Sequence, residues 1–220
     1  MKFPWEWQYV WQALPLLLEG LKMTLFATFW GSIFTFILGL VWFMLRLANL
    51  PIISPVANFL VQFLRGTPLL IQLYFVFYVF PTWGLTLSPI LCGIIGLAIF
   101  NSAPMSEVYR AGIEAIPKGQ WEASQTLGIP IRQVWSRIML PQALRTVLPM
   151  MGNLIIVMFK ETAILSTITI AEMMTHAVEF SMLSYRYVEP LTLAACFYFV
   201  HSYTSSHAVR WLERRIALNA

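Results

Sequence analysis

Lys160 and Glu161 are adjacent residues of opposite charge in an apolar segment, and no other side chains of this sequence are better suited to hold a small charged solute. A charge at membrane depth costs at least about 2.5 kcal/mol to insert, so such residues tend to face a cavity or a partner. Adjacent side chains on a regular α-helix point in different directions, and only an unwound segment would present both to one cavity. There they would match the two charges of a zwitterion. The alternatives are a snorkelling Lys160 and a structural ion pair.

Asn153 lies seven residues before Lys160, which places the two residues on one face of a helix. Its amide either contacts the solute or hydrogen-bonds to a neighbouring helix. Cys92 and Cys196 lie in apolar stretches, and the histidines of the last apolar stretch have no companion acids or cysteines. We therefore expect neither a disulfide nor a metal site.

Patterns for bond-making chemistry are absent from the sequence. There is no G-x-x-x-x-G-K-[ST] phosphate loop, no H-x-x-x-H pattern and no Ser–His pair near a predicted interface. We therefore expect a chain that is not an enzyme. An integral-membrane lipid-modifying enzyme and a purely structural membrane subunit are the alternative classes.

A long polar segment, residues 106–145, separates two apolar regions and is typical of a loop with its own structure and task. Its capping and turn residues predict three short helices joined by an elbow at Gly128. The predicted helices are 107–116 with Ser106 as N-cap, 119–127 before Gly128, and 130–140 before Pro141.

The elbow offers a compact surface to another protein. Ala123 and Ser124 are small enough to let that partner approach closely, and Glu122 and Arg132 supply polar contacts.

The elements that position these residues are membrane spans. The chain is 59% hydrophobic and 11% charged, with a mean hydropathy of +0.70, well outside the range of soluble proteins. Residues 23–45 are uncharged and measure about 35 Å as a helix, enough to cross a bilayer core. The first apolar run lacks the flanks of a signal peptide, and we expect it to be retained. The five predicted spans are 23–45, 59–80, 87–105, 146–165 and 191–209, in a single domain over 1–220.

Lys and Arg near the span ends predict the orientation, because cytoplasmic loops carry an excess of them. Ten lie on the side of the polar segment: Arg46, Arg65, Arg110, Lys118, Arg132, Arg137, Arg145, Arg210, Arg214 and Arg215. Three lie on the other side: Lys2, Lys22 and Arg186. We expect the N-terminus outside and the C-terminus in the cytoplasm. The net charge of +4 is scattered, which excludes a nucleic-acid surface.

The elbow resembles the "EAA" loop of ABC-importer permeases, whose pattern is E-A-A-x3-G-x9-I-x-L-P. Every spacing of that pattern is met, with Ser124 replacing the second Ala. The matching residues are Glu122-Ala123-Ser124, Gly128, Ile138 and Leu140-Pro141.

Further motifs between residues 51 and 165 resemble the polar-amino-acid uptake branch of that family. They include Arg65-Gly66-Thr67-Pro68 with Gln72, Asn101-Ser102-Ala103, Glu107-Val108-Tyr109-Arg110, and Asn153 with Lys160 and Thr162. The segments Lys160-Glu161-Thr162, Glu172-Met173-Met174 and Tyr185-Arg186-Tyr187 are similar to permeases for ectoine and hydroxyectoine.

The resemblance implies an all-α integral membrane protein with the type I importer permease fold, five transmembrane helices and a cytoplasmic coupling helix. It implies a bacterial inner-membrane subunit that translocates a polar amino acid or an amino-acid-derived zwitterion. Its implied partners are membrane lipid, two ATPase subunits that bind ATP and Mg, a second permease, identical or paralogous, and an extracytoplasmic solute-binding protein. The implied substrate-path residues are Lys160, Glu161, Thr162, Asn153, Gln72 and Asn101, and the ATPase-coupling residues are Trp121, Glu122, Ala123, Ser124, Gly128 and Arg132.

Overall fold

The computed structural model of the chain describes residues 4–218, and within that range it contains helices and no strand. This confirms the all-α prediction. The helices are α1 Trp7–Leu47, α2 Ile53–Gly66, α3 Leu69–Tyr74, α4 Pro89–Glu114, α5 Lys118–Thr126, α6 Ile131–Gln133, α7 Leu140–Glu161, α8 Met173–Ser184 and α9 Val188–Leu218.

Helix α1 is the central element and packs most extensively against α4 and α8. It has 41 residues, so at about 1.5 Å per residue it is far longer than the predicted span 23–45. Glu19 and Lys22 bound the predicted span because they are charged, but neither residue type breaks a helix. Close packing on α4 requires Gly39, where a Cβ atom would lie 2.7 Å from the Met105 side chain.

Three helical stretches of the described chain are long and apolar enough to cross a membrane: Trp7–Leu47, Pro89–Glu114 and the continuous Ile131–Ile168. Ile53–Gly66 and Leu69–Trp83 form a fourth candidate that is bent by 106°. The fifth predicted span, 191–209, lies within α9, which is long enough at 31 residues but more polar than the others.

The predicted span 59–80 is wrong as one straight helix, because the chain bends at Thr67 and Pro68. Proline disfavours the helical conformation of the residue before it, and Thr67 is extended with ψ 138°. Gln72 holds the bend: its Nε2 donates to the Leu64 carbonyl over 2.8 Å and to Thr67 Oγ1 over 2.7 Å.

The polar segment 106–145 contains less loop than its sequence predicts. Ser106 does not begin a helix: it is buried within α4, where its hydroxyl donates to the Ala103 carbonyl over 2.8 Å. Pro141 does not end one either, because the wider π-helical turn Val134–Met139 precedes it and accommodates the missing N–H. The prediction for 119–127 is confirmed within one residue by α5.

An ion-pair cluster closes the end of the bundle opposite α5. Arg186 pairs with Glu189 at the start of α9 and with Glu6 Oε1 over 3.2 Å, ahead of α1. The hydrogen bond from Arg186 holds the pKa of Glu189 below its ordinary value. The cluster ties the N-terminal segment to the α8–α9 turn. Lys2, which the sequence assigns to this end, lies outside the described residues.

Candidate functional site

Glu161 and Asn101 meet inside the helix bundle. Asn101 is 1% exposed on α4, and its Nδ2 donates to Glu161 Oε2 over 2.7 Å and to the Leu97 carbonyl over 3.1 Å. Glu161 is half-buried and is the last residue of α7. The chain tightens into a 3₁₀-helix directly after it, over Thr162–Ile168. The structure therefore places a carboxylate where a continuous membrane helix changes from α to 3₁₀ geometry, and a neutral amide holds it there.

Lys160 does not share the direction of Glu161. Its side chain is exposed on the surface of the bundle, and no ion pair of the described residues includes it. The change of helix type begins only after Glu161, so the two charges keep the angular separation of a regular helix. The expected unwound segment is not found, because the helix continues from α7 into the tighter 3₁₀-helix Thr162–Ile168, and the two charges are not brought to one cavity.

Asn153 is exposed on α7, as is Lys160. It lines a groove of about 440 Å³ between α7 and the end of α9, together with Arg145 and Glu213. Among the described residues, the side-chain hydrogen bonds of α7 involve Gln142, Met158 and Glu161. Asn153 therefore does not make the interhelical hydrogen bond of the alternative interpretation.

Thr162 and Gln72 serve the backbone. Thr162 is fully buried, and its hydroxyl donates to the Phe159 carbonyl over 2.7 Å at the start of the 3₁₀-helix. Gln72 is also buried, and its Nε2 donates to Leu64 and Thr67 at the α2–α3 bend. Neither side chain lies beside Glu161 among the contacts described, so the six predicted path residues do not form one cluster.

Sequence reasoning gave Glu172 no place in the site, yet this residue is fully buried where α1, α8 and α9 converge. Its Oε1 accepts from the Thr175 N–H over 2.7 Å, which caps α8, and its Oε2 accepts from Thr24 Oγ1 over 3.3 Å and Tyr198 OH over 3.2 Å. In the sequence it appears only in the ectoine-permease-like segment Glu172-Met173-Met174. Its partners are 148 and 26 residues away in the sequence, and no local pattern joins them.

The predicted coupling surface is built on α5 and the turn that follows. Glu122, Ala123 and Arg132 are exposed. Gly128 adopts φ +62°, a left-handed conformation that favours glycine and lets the chain turn sharply after α5.

Two residues of this surface support it from within. Trp121 packs edge-to-face on Trp135 with 5.4 Å between ring centroids, which fixes α5 against the turn Val134–Met139. Ser124 is buried and donates to the Gln120 carbonyl over 2.6 Å. The prediction that both Ala123 and Ser124 face the partner is therefore wrong for Ser124, which faces inward. Of these two small residues, only Ala123 is exposed.

Within residues 4–218, no group of three or more His, Cys or Glu side chains is placed to hold a metal ion. Cys92 is buried and Cys196 is exposed on another helix.

Residues 47–218 match the family model described as the binding-protein-dependent transport system inner membrane component. The chain is 36% identical to a probable amino-acid ABC transporter permease of Sinorhizobium fredii, over 91% of this chain and 87% of that one. It is 34% identical to the L-cystine transport system permease TcyB of Bacillus subtilis, over 96% of this chain and 91% of the relative. A crystal structure of an amino acid ABC transporter with histidines superposes with a TM-score of 0.92 at 34% identity, covering 97% of this chain and 100% of that chain.

These matches confirm the predicted importer-permease fold and the prediction of a transport subunit rather than an enzyme. The chain belongs to the family of binding-protein-dependent transport system inner membrane components: it is a multi-pass permease subunit of the ABC importer type, similar over nearly its whole length to permeases named for amino acids.

Proposed function

We propose that this permease translocates a zwitterionic amino acid or an amino-acid-derived solute, the class that includes ectoine and hydroxyectoine, and that Glu161 binds its positively charged group. One observation carries the proposal: the amide of Asn101 holds the carboxylate of Glu161 over 2.7 Å, at the point where α7 passes into a 3₁₀-helix. None of the ion pairs of the described residues includes Glu161. A carboxylate at membrane depth without a fixed cation is suited to pair with a cationic group that comes and goes.

Lys160 serves the carboxylate end of the solute in this proposal. Because it is exposed on the outside of this subunit, its partner surface is a second permease, identical or paralogous. The path then runs between the two subunits, with Asn153 and Lys160 on its wall and Glu161 at the end of α7. Thr162 and Gln72 keep the shape of the wall through the backbone hydrogen bonds described above.

ATP hydrolysis drives the cycle through α5. We propose that Glu122, Ala123 and Arg132 of this chain seat in one of two ATPase subunits, which bind ATP and Mg, while a solute-binding protein docks at the opposite end. The exposed polar side chains of α5 and the left-handed turn at Gly128 support this assignment. The concentration of arginines at the α5 end supports a cytoplasmic location for that end, with the N-terminus outside.

Uptake of labelled solutes tests the proposed cargo. Cells carrying the full transporter and its cognate binding protein are given ectoine, glutamate and arginine, and the basal ATPase activity of the purified complex is recorded alongside. We expect uptake of at least one solute that carries an ammonium or amidinium group. Competition by neutral sugars, with no competition by any amino acid or ectoine, would refute the proposed cargo.

A further inference from the structure

A cavity of about 250 Å³ opens between α1, α2 and α4, near the end of α4 that leads into α5. Its polar wall is formed by Arg46, Asn58, Arg110 and Glu114, and its apolar wall by Phe43, Leu47 and Ile113. The transport path and the coupling surface do not use these residues. The combination of basic and apolar walls indicates a ligand with an anionic part and a hydrocarbon part.

Arg46 is fixed in place beside this cavity. Its side chain is only 10% exposed, and its Nη1 donates to Glu107 Oε1 over 3.0 Å, while its Nε donates to Asn58 Oδ1 over 2.6 Å. Its Nη1 also donates to Ser106 Oγ over 3.2 Å, and among the described residues no hydrogen bond starts from its Nη2. The guanidinium group is therefore oriented in advance and keeps a donor for a further acceptor.

Arg110 faces the same cavity from α4. Its Nη2 pairs with Glu107 Oε2 over 2.7 Å, and its Nε lies 3.8 Å from Glu114 Oε1 in a long, exposed ion pair. Arg65 also pairs with Glu107, over 3.3 Å, but does not line the cavity. The charged side chains that line the cavity are Arg46, Arg110 and Glu114, so its wall carries one positive charge in excess. The Glu114 carboxylate repels an anion in this cavity. Its long ion pair with Arg110 is the contact that a bound anion would replace.

The surroundings of the cavity place it at a membrane surface. Met44 and Leu47, on either side of Arg46, are 56% and 54% exposed, as expected for side chains in contact with acyl chains. Arg46 lies in the last turn of the long span α1, where the hydrocarbon region ends.

We propose that this cavity binds the headgroup phosphate of an anionic phospholipid. Arg46 and Arg110 donate to the phosphate oxygens, and Phe43, Leu47 and Ile113 contact the glycerol and the first carbons of the acyl chains. The bound lipid joins α1, α2 and α4 at the level of the Arg46–Glu107–Arg65 ion pairs.

Lipid retention tests the proposal on the assembled transporter. The complex is purified from nanodiscs of phosphatidylcholine with added phosphatidylglycerol, and native mass spectrometry counts the retained lipids. Two variants are compared: Arg110→Gln, which removes a cavity arginine, and Arg65→Gln, which also removes one Glu107 ion pair but lies outside the cavity. We expect phosphatidylglycerol to be retained over phosphatidylcholine, a loss of about fivefold in Arg110→Gln, and less than about twofold in Arg65→Gln.

Equal losses in the two variants, or no preference for phosphatidylglycerol, would overturn the lipid site. A parallel arm adds inorganic phosphate to phosphatidylcholine nanodiscs and measures the thermal unfolding midpoint. Phosphate that raises the midpoint as much as phosphatidylglycerol would assign the cavity to a free anion and overturn the lipid proposal. Loss of ATPase co-purification in Arg110→Gln with unchanged lipid retention would assign it to a protein contact instead.

Discussion

The side-chain amide of Asn101 on α4 donates to the carboxylate of Glu161 at the end of α7 over 2.7 Å, and it does so from a position that is 1% exposed. This bond crosses between two membrane-spanning helices and leaves Oε1 of Glu161 without a described protein donor. A half-buried carboxylate that loses its donor is left with an uncompensated part of its desolvation cost.

Replacing Asn101 by Leu therefore destabilises the fold. We expect the free energy of unfolding to fall by about 1.5–3 kcal/mol, because the charged hydrogen bond is lost while the volume is nearly kept. Thermal unfolding of the purified complex in detergent measures the change. Asn153→Leu is the matched control, since Asn153 is exposed, and we expect an effect within about 0.5 kcal/mol. Equal effects of the two variants would show that the Asn101–Glu161 bond does not stabilise the bundle.

Lys160 carries the second charge of the proposed site. Lys160→Met removes the partner of the solute carboxylate, and we expect uptake of zwitterionic solutes to fall at least about tenfold, equivalent to about 1.4 kcal/mol. Lys160→Arg keeps the charge with a different geometry and is expected to retain part of the activity. Uptake in cells with the cognate binding protein is the measurement, and membrane abundance is the control. Normal uptake and unchanged solute preference in Lys160→Met would mean that Lys160 only snorkels.

The turn after α5 requires a left-handed residue at position 128. Gly128→Pro is incompatible with φ +62°, because proline is fixed near −65°, and we expect loss of both ATPase co-purification and uptake. Gly128→Asn is the matched control, because asparagine tolerates the left-handed region, and it should retain most of both. Glu122→Lys reverses a charge on the same surface and should also uncouple the ATPase. Full ATPase binding in Gly128→Pro and Glu122→Lys would remove α5 from the coupling role.

The two ends of the bundle are expected to face different compartments. Reporter fusions after Trp83 and after Leu127 should report the outside and the cytoplasm respectively, since the Lys and Arg bias of ten to three favours that insertion. Cysteine labelling at the same positions is an independent check. A report of the same compartment from both fusions would contradict the proposed topology.

The sequence predicted elements whose signals are local. Helix α5 was predicted within one residue because Pro117 and Gly128 flank it, and the apolar run in residues 23–45 marked α1. The errors arose where tertiary packing overrides a local signal. Ser106 and Pro141 look like helix ends, yet the first is buried in α4 and the second follows a π-helical turn.

The site was predictable in its charges and not in its geometry. Lys160 and Glu161 stand out in an apolar segment, but only the structure reveals that the regular helix continues through Glu161 and turns the two apart. Glu172 could not be recognised, because its partners Thr24 and Tyr198 come from α1 and α9. Ser124 was assigned to the outer face, but it faces inward because α5 packs on residues 134–139. That packing is a tertiary contact, which the local sequence does not reveal.

Solute-stimulated ATP hydrolysis by the Glu161→Gln transporter tests the central claim most directly. The assembled complex is reconstituted in liposomes with its binding protein, and the solute concentration that gives half-maximal stimulation is measured beside basal ATP hydrolysis. Glutamine keeps an oxygen that can accept from Asn101, so the fold and basal hydrolysis should persist. We expect half-maximal stimulation by zwitterionic solutes to need about 10- to 100-fold more solute, because a charged hydrogen bond is lost. An unchanged concentration in Glu161→Gln would contradict the claim that Glu161 binds the positive group of the cargo.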